Sequence, residues 1–253
     1  MNIKKRLKSK KVLILLILII LGLVLASSVL VILYSRDSDI QLKINGESVS
    51  KEEYVQTMKE KQYDVTVYFK QNYDAQVDKK FWETSFDGEV PYKKLADETL
   101  EELKYRHAIF DIAEEKGYID DADFVSLKRQ MEEENQEREE KKERGEPVYG
   151  LSEYTMDLYL EYEISSIKEQ YCNDEGNEDM EISTEELQDY YNSREWLVGE
   201  DGKKAEFEEI RSVLEKDIRE MRYEEMVKKA AGDSSVDVKK DSLYTFTLKN
   251  IKK

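Results

Sequence analysis

From Val12 to Tyr34 the chain carries no charged side chain, and the run is apolar almost throughout. A hydrocarbon core about 30 Å thick takes roughly 20 residues of helix, so this stretch is expected to span a membrane once. A polar spacer, 35–39, follows, and then the pattern changes to period two. Ile40, Leu42 and Ile44 alternate with Gln41 and Lys43, which reads as a half-buried strand ended by the tight turn Asn45-Gly46. Ser50 and Glu53 have capping-box spacing. Tyr54, Met58, Val65, Tyr68 and Phe69 then share one side of a helix expected to run to Asn72.

Phe81, Trp82 and Phe86 form a short aromatic plug before the turn Asp87-Gly88. From Tyr92 to Lys116 the spacing of Ala96, Leu100, Leu103, His107 and Phe110 is helical, with Gly117 as a left-handed cap. Another helix opens at Phe124, but Glu132 to Arg144 holds no apolar residue, which leaves a helix projecting into water or a disordered segment. Met156, Leu160, Ile164, Ile167 and Tyr171 mark one helical stripe, and Tyr154, Leu158 and Tyr162 an adjacent one. Two stripes predict a helix buried on a wide face.

Ser183 and Glu186 form a second capping box, and a polar loop with Gly199 and Gly202 occupies 192–204. Phe207, Ile210, Leu214, Ile218 and Met221 mark a last long helix, ending near Gly232. Leu243 to Leu248, rich in aromatic and β-branched residues, reads as a strand, and the strand at Ile40 to Asn45 is its natural partner. The expected fold class is mainly α: an N-terminal transmembrane helix, 12–34, and a helical domain, 40–253, closed by a small two-stranded pairing of the chain's two ends.

Charge orients the span. Lys4, Lys5, Arg6, Lys8, Lys10 and Lys11 precede it without an acid, from which 1–11 are expected in the cytoplasm and 40–253 on the extracytoplasmic side. The rival is a signal peptide cut after Ala26, which would leave Val29 to Leu33 exposed at a new N-terminus. Apart from that basic tail, 34 Lys and Arg stand against 57 Asp and Glu. Such a surface repels nucleic acid and anionic headgroups, so no nucleic-acid partner is expected.

Candidate chemistry is sparse. The single histidine, His107, lies on an apolar helix face, and one histidine makes no His-based metal cluster. The single cysteine, Cys172, has acidic neighbours that disfavour a thiolate. The acidic loop Asn173 to Asp179 lacks the EF-hand ligand order. We therefore expect no catalytic residue, no metal ligand and no cofactor. Tyr, Met and Phe along the helices are mostly core residues, but flexible Met and amphipathic Tyr also suit a surface that repacks around peptides. Tyr54, Met58, Tyr68, Tyr154, Met156 and Tyr159 are the peptide-binding candidates.

Three segments carry a family likeness: Ile44 to Glu53, Leu103 to Ile119 with Ala113-Glu114-Glu115-Lys116-Gly117, and Ile182 to Leu187. In this order, with the closing helix Ile210 to Val227 and Val236-Asp237-Val238, the chain resembles the chaperone part of the SurA and PrsA exported foldases, itself similar to the arms of trigger factor. That family carries a parvulin isomerase after the equivalent of Tyr190-Tyr191-Asn192. Here Ser193 to Lys204 is too short to enclose one, because a folded core needs about 40 residues. The resemblance implies a membrane-anchored, non-enzymatic holdase for unfolded, newly exported polypeptides. The alternative is an accessory subunit that holds one specific membrane or secreted partner.

Overall fold

The computed structural model describes residues 40–199 and 202–251, so the expected span 12–34 lies outside the described residues. Among those described, no helix is long and apolar enough to cross a membrane. The chain divides between Gln41 and Leu42 into two units, and the fold lies in the second.

That unit begins within the alternation, at Leu42. Asn45 and Gly46 take φ of 52° and 89°, values that asparagine and glycine tolerate best, and fold β1 (Lys43–Ile44) back onto β2 (Glu47–Ser48). Ser50 accepts from the Glu53 amide at 3.1 Å while Glu53 accepts from the Ser50 amide at 3.3 Å, so both halves of the box open α1 (Lys51–Tyr73). Further along, Phe69 meets Phe81 edge-on at 6.0 Å and Phe86 at 5.3 Å, which plugs the end of α1 as the sequence suggested.

Helix α2 (Pro91–Glu115) is the central element, with Leu95, Ala96, Thr99, Leu103, Ala108, Ile109, Phe110 and Ala113 all buried. The left-handed residue Gly117 ends it, and the Tyr118 amide returns to the Ala113 carbonyl at 2.8 Å. Then come α3 (Phe124–Glu143), α4 (Met156–Asn173), α5 (Thr184–Asn192), α6 (Phe207–Asp233) and α7 (Lys240–Ile251), making seven helices among the described residues. α1, α4, α6 and α7 all pack on α2. Tyr105, Ile112, Tyr118 and Ile119 join the core formed where α2, α3, α4 and α6 meet.

Two expectations are corrected. Leu243 to Leu248 is not a strand but lies within α7, where Leu243, Thr247 and Asn250 form a buried helical face. Its threonines are accommodated because Thr245 and Thr247 donate to carbonyls four residues back, at 2.8 and 2.9 Å, and packing against α2 overrides their strand preference. The chain's C-terminal part does return to β1, but through β5 (Val236–Asp237), which gives an antiparallel sheet of order β2-β1-β5. The loop 192–204 is not featureless either, since it contains the hairpin β3 (Leu197–Val198) and β4 (Lys203–Lys204).

Asn45 ties this closure. Its amide nitrogen donates to Asp111 of α2 at 3.0 Å, and its side-chain oxygen accepts from the Ser235 backbone at 3.0 Å. Leu103→Ala should lower unfolding stability by about 2–5 kcal/mol, because it opens a cavity in the fully buried face of α2. Asn45→Ala should cost about 1–3 kcal/mol through two lost hydrogen bonds and an unfavourable φ. Urea denaturation of both variants checks the order, and an Asn45 effect larger than that of Leu103 would contradict it.

Candidate functional site

The acid-rich stretch after Glu132 is helical to Glu143, the end of α3. With few apolar contacts, it is laced by Arg138–Glu134 at 2.8 Å, Lys141–Glu137 at 2.7 Å and Lys142–Glu139 at 2.8 Å. Such pairs each contribute about 0.2–0.5 kcal/mol, so together they support a helix that buries little. The loop that turns α3 into α4 is held closely. Arg138 donates from Nη1 to the carbonyls of Tyr149 at 3.0 Å and Leu151 at 2.6 Å, and its guanidinium lies 4.7 Å from the Tyr154 ring. Asn135 clamps the Tyr154 backbone from both sides, accepting from its amide at 2.7 Å and donating to its carbonyl at 2.9 Å.

While the loop's backbone is tied inward, its apolar side chains point out. Tyr149 is 83% exposed and Leu151 44%. The second stripe of α4 was expected to be buried, yet Leu158 is 40% and Tyr162 53% exposed; only Tyr154 of that stripe is covered. Periodicity shows that a face is apolar, not that this chain covers it. Continued by helical spacing, the same face of α4 passes Ser165, Glu169 and Cys172, and these line a groove of about 510 Å³ against Ser212, Lys216 and Arg219 of α6. One face of α4 therefore runs from an apolar tip to a polar groove floor.

Across the groove, α5 and the hairpin cover the first half of α6. Leu187, Ala205, Ile210, Leu214 and Ile218 form a separate small core there. Ser183 still caps the Glu186 amide at 3.1 Å, but the Glu186 side chain leaves the expected box and pairs with Arg222 at 2.5 and 2.7 Å. Arg194 stacks 4.0 Å from the Trp196 ring and reaches Asp217 at 3.0 Å, which fixes a hairpin that exposes Leu197.

The six sequence candidates fall into two groups. Tyr54 and Met58 are fully buried, and the Tyr54 hydroxyl lies 2.5 Å from that of Thr247 in α7, so in this conformation they join helices and offer no surface. Tyr68 is half-buried, donates to Glu89 at 2.9 Å and carries Lys94 4.0 Å above its ring. Tyr154 and Tyr159, buried and 5.6 Å apart, support the base of the tip, and Met156 packs beside the core. Sequence reasoning missed Tyr149 and Leu151, although large apolar residues in a loop opened by Gly145-Glu146-Pro147 were a usable sign.

The titratable groups serve the fold. His107 Nε2 lies 2.8 Å from Glu53, which also caps α1, and Arg106 binds Glu60 and Glu102. Burial would lower the His107 pKa, but the Glu53 hydrogen bond and charge, with Asp111 and Glu47, outweigh it and raise the value. The space beside this pair is about 20 Å³, room for one water. In the acidic loop, Asp174 accepts from Tyr118 at 2.6 Å, Asp179 from Tyr171 at 3.1 Å, and buried Asn177 receives Lys116 at 2.6 Å. Among the described residues no His, Cys, Asp and Glu group is arranged to hold a metal. Burial and Glu220 push the Cys172 thiol pKa upward, away from a reactive thiolate.

No family model matches the chain. It is 34% identical over 217 residues, covering 84% of its own length and 77% of the relative's, to the "Chaperone for lacto-N-biosidase" of Bifidobacterium longum subsp. longum. A chaperone is a non-catalytic role, in line with the expectation that this chain is not an enzyme. Two crystal structures of the GH136 lacto-N-biosidase from Eubacterium ramulus, native and selenomethionine, align at a TM-score of 0.46 and 14% identity. They cover 58% and 59% of this chain, which spans 30% of theirs.

The Glu53–His107 pair gives the fold a pH dependence with a definite sign. Because the folded pKa lies above the unfolded value of about 6.5, the pair's contribution is full below that pH. It is lost as pH rises through the folded pKa. Urea midpoints should therefore fall more steeply on the alkaline side of neutrality for the wild type than for His107→Gln, and parallel profiles would contradict the pairing.

Proposed function

The chain belongs to the family of the chaperone for lacto-N-biosidase, and from that membership we propose that it is a dedicated chaperone which holds one partner enzyme, of the lacto-N-biosidase type, outside the cytoplasm. The observation that carries the reading is the relative itself, whose role is defined by a single enzyme and whose likeness extends over most of this chain. It favours the accessory-subunit alternative over a general holdase for unfolded chains. The groove supports the same choice through its mixed charge, because Lys168, Lys216 and Arg219 beside Glu169, Glu215 and Glu220 suit a charged, folded surface better than the apolar segments of an unfolded polypeptide.

Within this proposal, the likeness to the SurA and PrsA foldases concerns the helical scaffold alone. By that likeness, the short hairpin would take the place of the foldases' isomerase. The apolar stretch 12–34 with its basic tail keeps the chaperone at the outer face of the membrane, where an exported enzyme first emerges and where tethering raises the effective concentration of one for the other.

Binding to the native-like state stabilises it by mass action. Co-expression of the full chain with the lacto-N-biosidase of its own organism should raise the yield of soluble, active enzyme several-fold, with the two co-purifying in fixed stoichiometry. An equal gain for unrelated exported enzymes would return the chain to the general-holdase reading, and no gain would remove the proposal.

A further inference from the structure

The tip of the α3–α4 arm is built in reverse of an ordinary loop. Its backbone acceptors are satisfied by Arg138, whose side chain is largely shielded within the arm, and by Asn135. Arg144 forks onto Glu146 at 2.8 and 3.1 Å, which fixes the entry to the loop. The ordering cost of the loop is thus met before any partner arrives, and a preordered loop with exposed tyrosines is a favourable binding element. Leu158 and Tyr162, one helical turn apart on α4, extend the same apolar surface toward the groove.

The charge around this surface specifies its occupant. Glu146, Glu153, Asp157 and Glu161 lie among the exposed apolar residues, and residues 124–173 hold 13 acids against 7 basic side chains. A second copy of the chain would bring the same acids face to face, and an anionic lipid surface would be repelled. We propose that the tip, Tyr149, Leu151, Leu158 and Tyr162, docks onto a folded surface of the partner enzyme that has an apolar centre and a rim of Lys and Arg, an inference that rests on the dedicated-partner reading.

The test measures affinity of the full chain for the lacto-N-biosidase of its own organism, using wild type, a tip variant (Tyr149→Ser, Leu151→Ser, Tyr162→Ser) and a control variant (Tyr63→Ser, Val77→Ser) at exposed positions elsewhere. The tip variant should bind at least about tenfold more weakly and the control within about twofold of wild type, as expected when a few aromatic anchors dominate an interface. Reversing the rim with Glu153→Lys and Glu161→Lys leaves every apolar residue and the Arg144–Glu146 tie in place and should also weaken binding, and added salt should weaken the wild type. These charge reversals decide the matter if the serine variant folds poorly. Should wild type bind and both the tip and rim variants bind equally well, the docking surface lies elsewhere while the dedicated-partner reading stands. Should wild type not bind, that reading falls and the tip proposal with it. Self-association through the same residues would also overturn the inference.

Discussion

Burial of α2 is the constraint on which the rest of the structure depends. Its first half, with Leu95, Ala96, Thr99 and Leu103, meets α1 and α7, and its second half, with Ala108, Ile109, Phe110 and Ala113, enters the core shared with α3, α4 and α6. Polar ties follow the same seam. Lys61 meets Glu102 at 2.5 Å, Arg106 binds Glu60, and His107 meets Glu53, all joining α1 to α2, while Tyr244 of α7 reaches Asp97 at 3.1 Å. Glu102 shows the electrostatic result, since burial would raise its pKa but Lys61 and Arg106 hold it below the ordinary range.

With α2 fixed, the remaining helices have surface to spare. α6 places its second half, Tyr223 and Val227, in the α2 core and its first half, Ile210, Leu214 and Ile218, in the small core with α5 and the hairpin. α4 likewise buries Leu160 and Ile167 while leaving Leu158 and Tyr162 in solvent. The groove between α4 and α6 is therefore a consequence of two helices that each serve the core with one part and leave another part free. A surface made this way sits on elements already anchored in the core, which gives it a fixed shape.

Local physics was legible in the sequence wherever the determinants were near neighbours. The Asn45-Gly46 turn, the Ser50–Glu53 box, the aromatic plug and the length of α2 up to Gly117 all follow from spacing and backbone preference. What was not legible depended on contacts distant in sequence. Glu186 abandons its cap for Arg222, 36 residues on, and His107 finds Glu53, 54 residues back. Leu243 to Leu248 has strand composition but is held as helix by α2, and β1 pairs with β5 instead. Of the six sequence candidates, Tyr54, Met58 and Tyr68 lie on α1. Tyr154, Met156 and Tyr159 lie at the base of the tip, whereas the exposed side chains are Tyr149, Leu151, Leu158 and Tyr162. Hydrophobic periodicity cannot separate an apolar face that closes a core from one left open for another protein, because both obey the same spacing.

Hydrogen exchange of the full chain, alone and mixed with the lacto-N-biosidase of its own organism, tests the central claim most directly. The claim is that a scaffold organised by α2 presents the α4 face to a single folded partner. The account predicts added protection along the arm tip and α4, residues 146–165, and along the α6 side of the groove, residues 212–219, with the outer face of α1 around Tyr63 unchanged. Protection confined to α1 and α7, or none that depends on the enzyme, would contradict it.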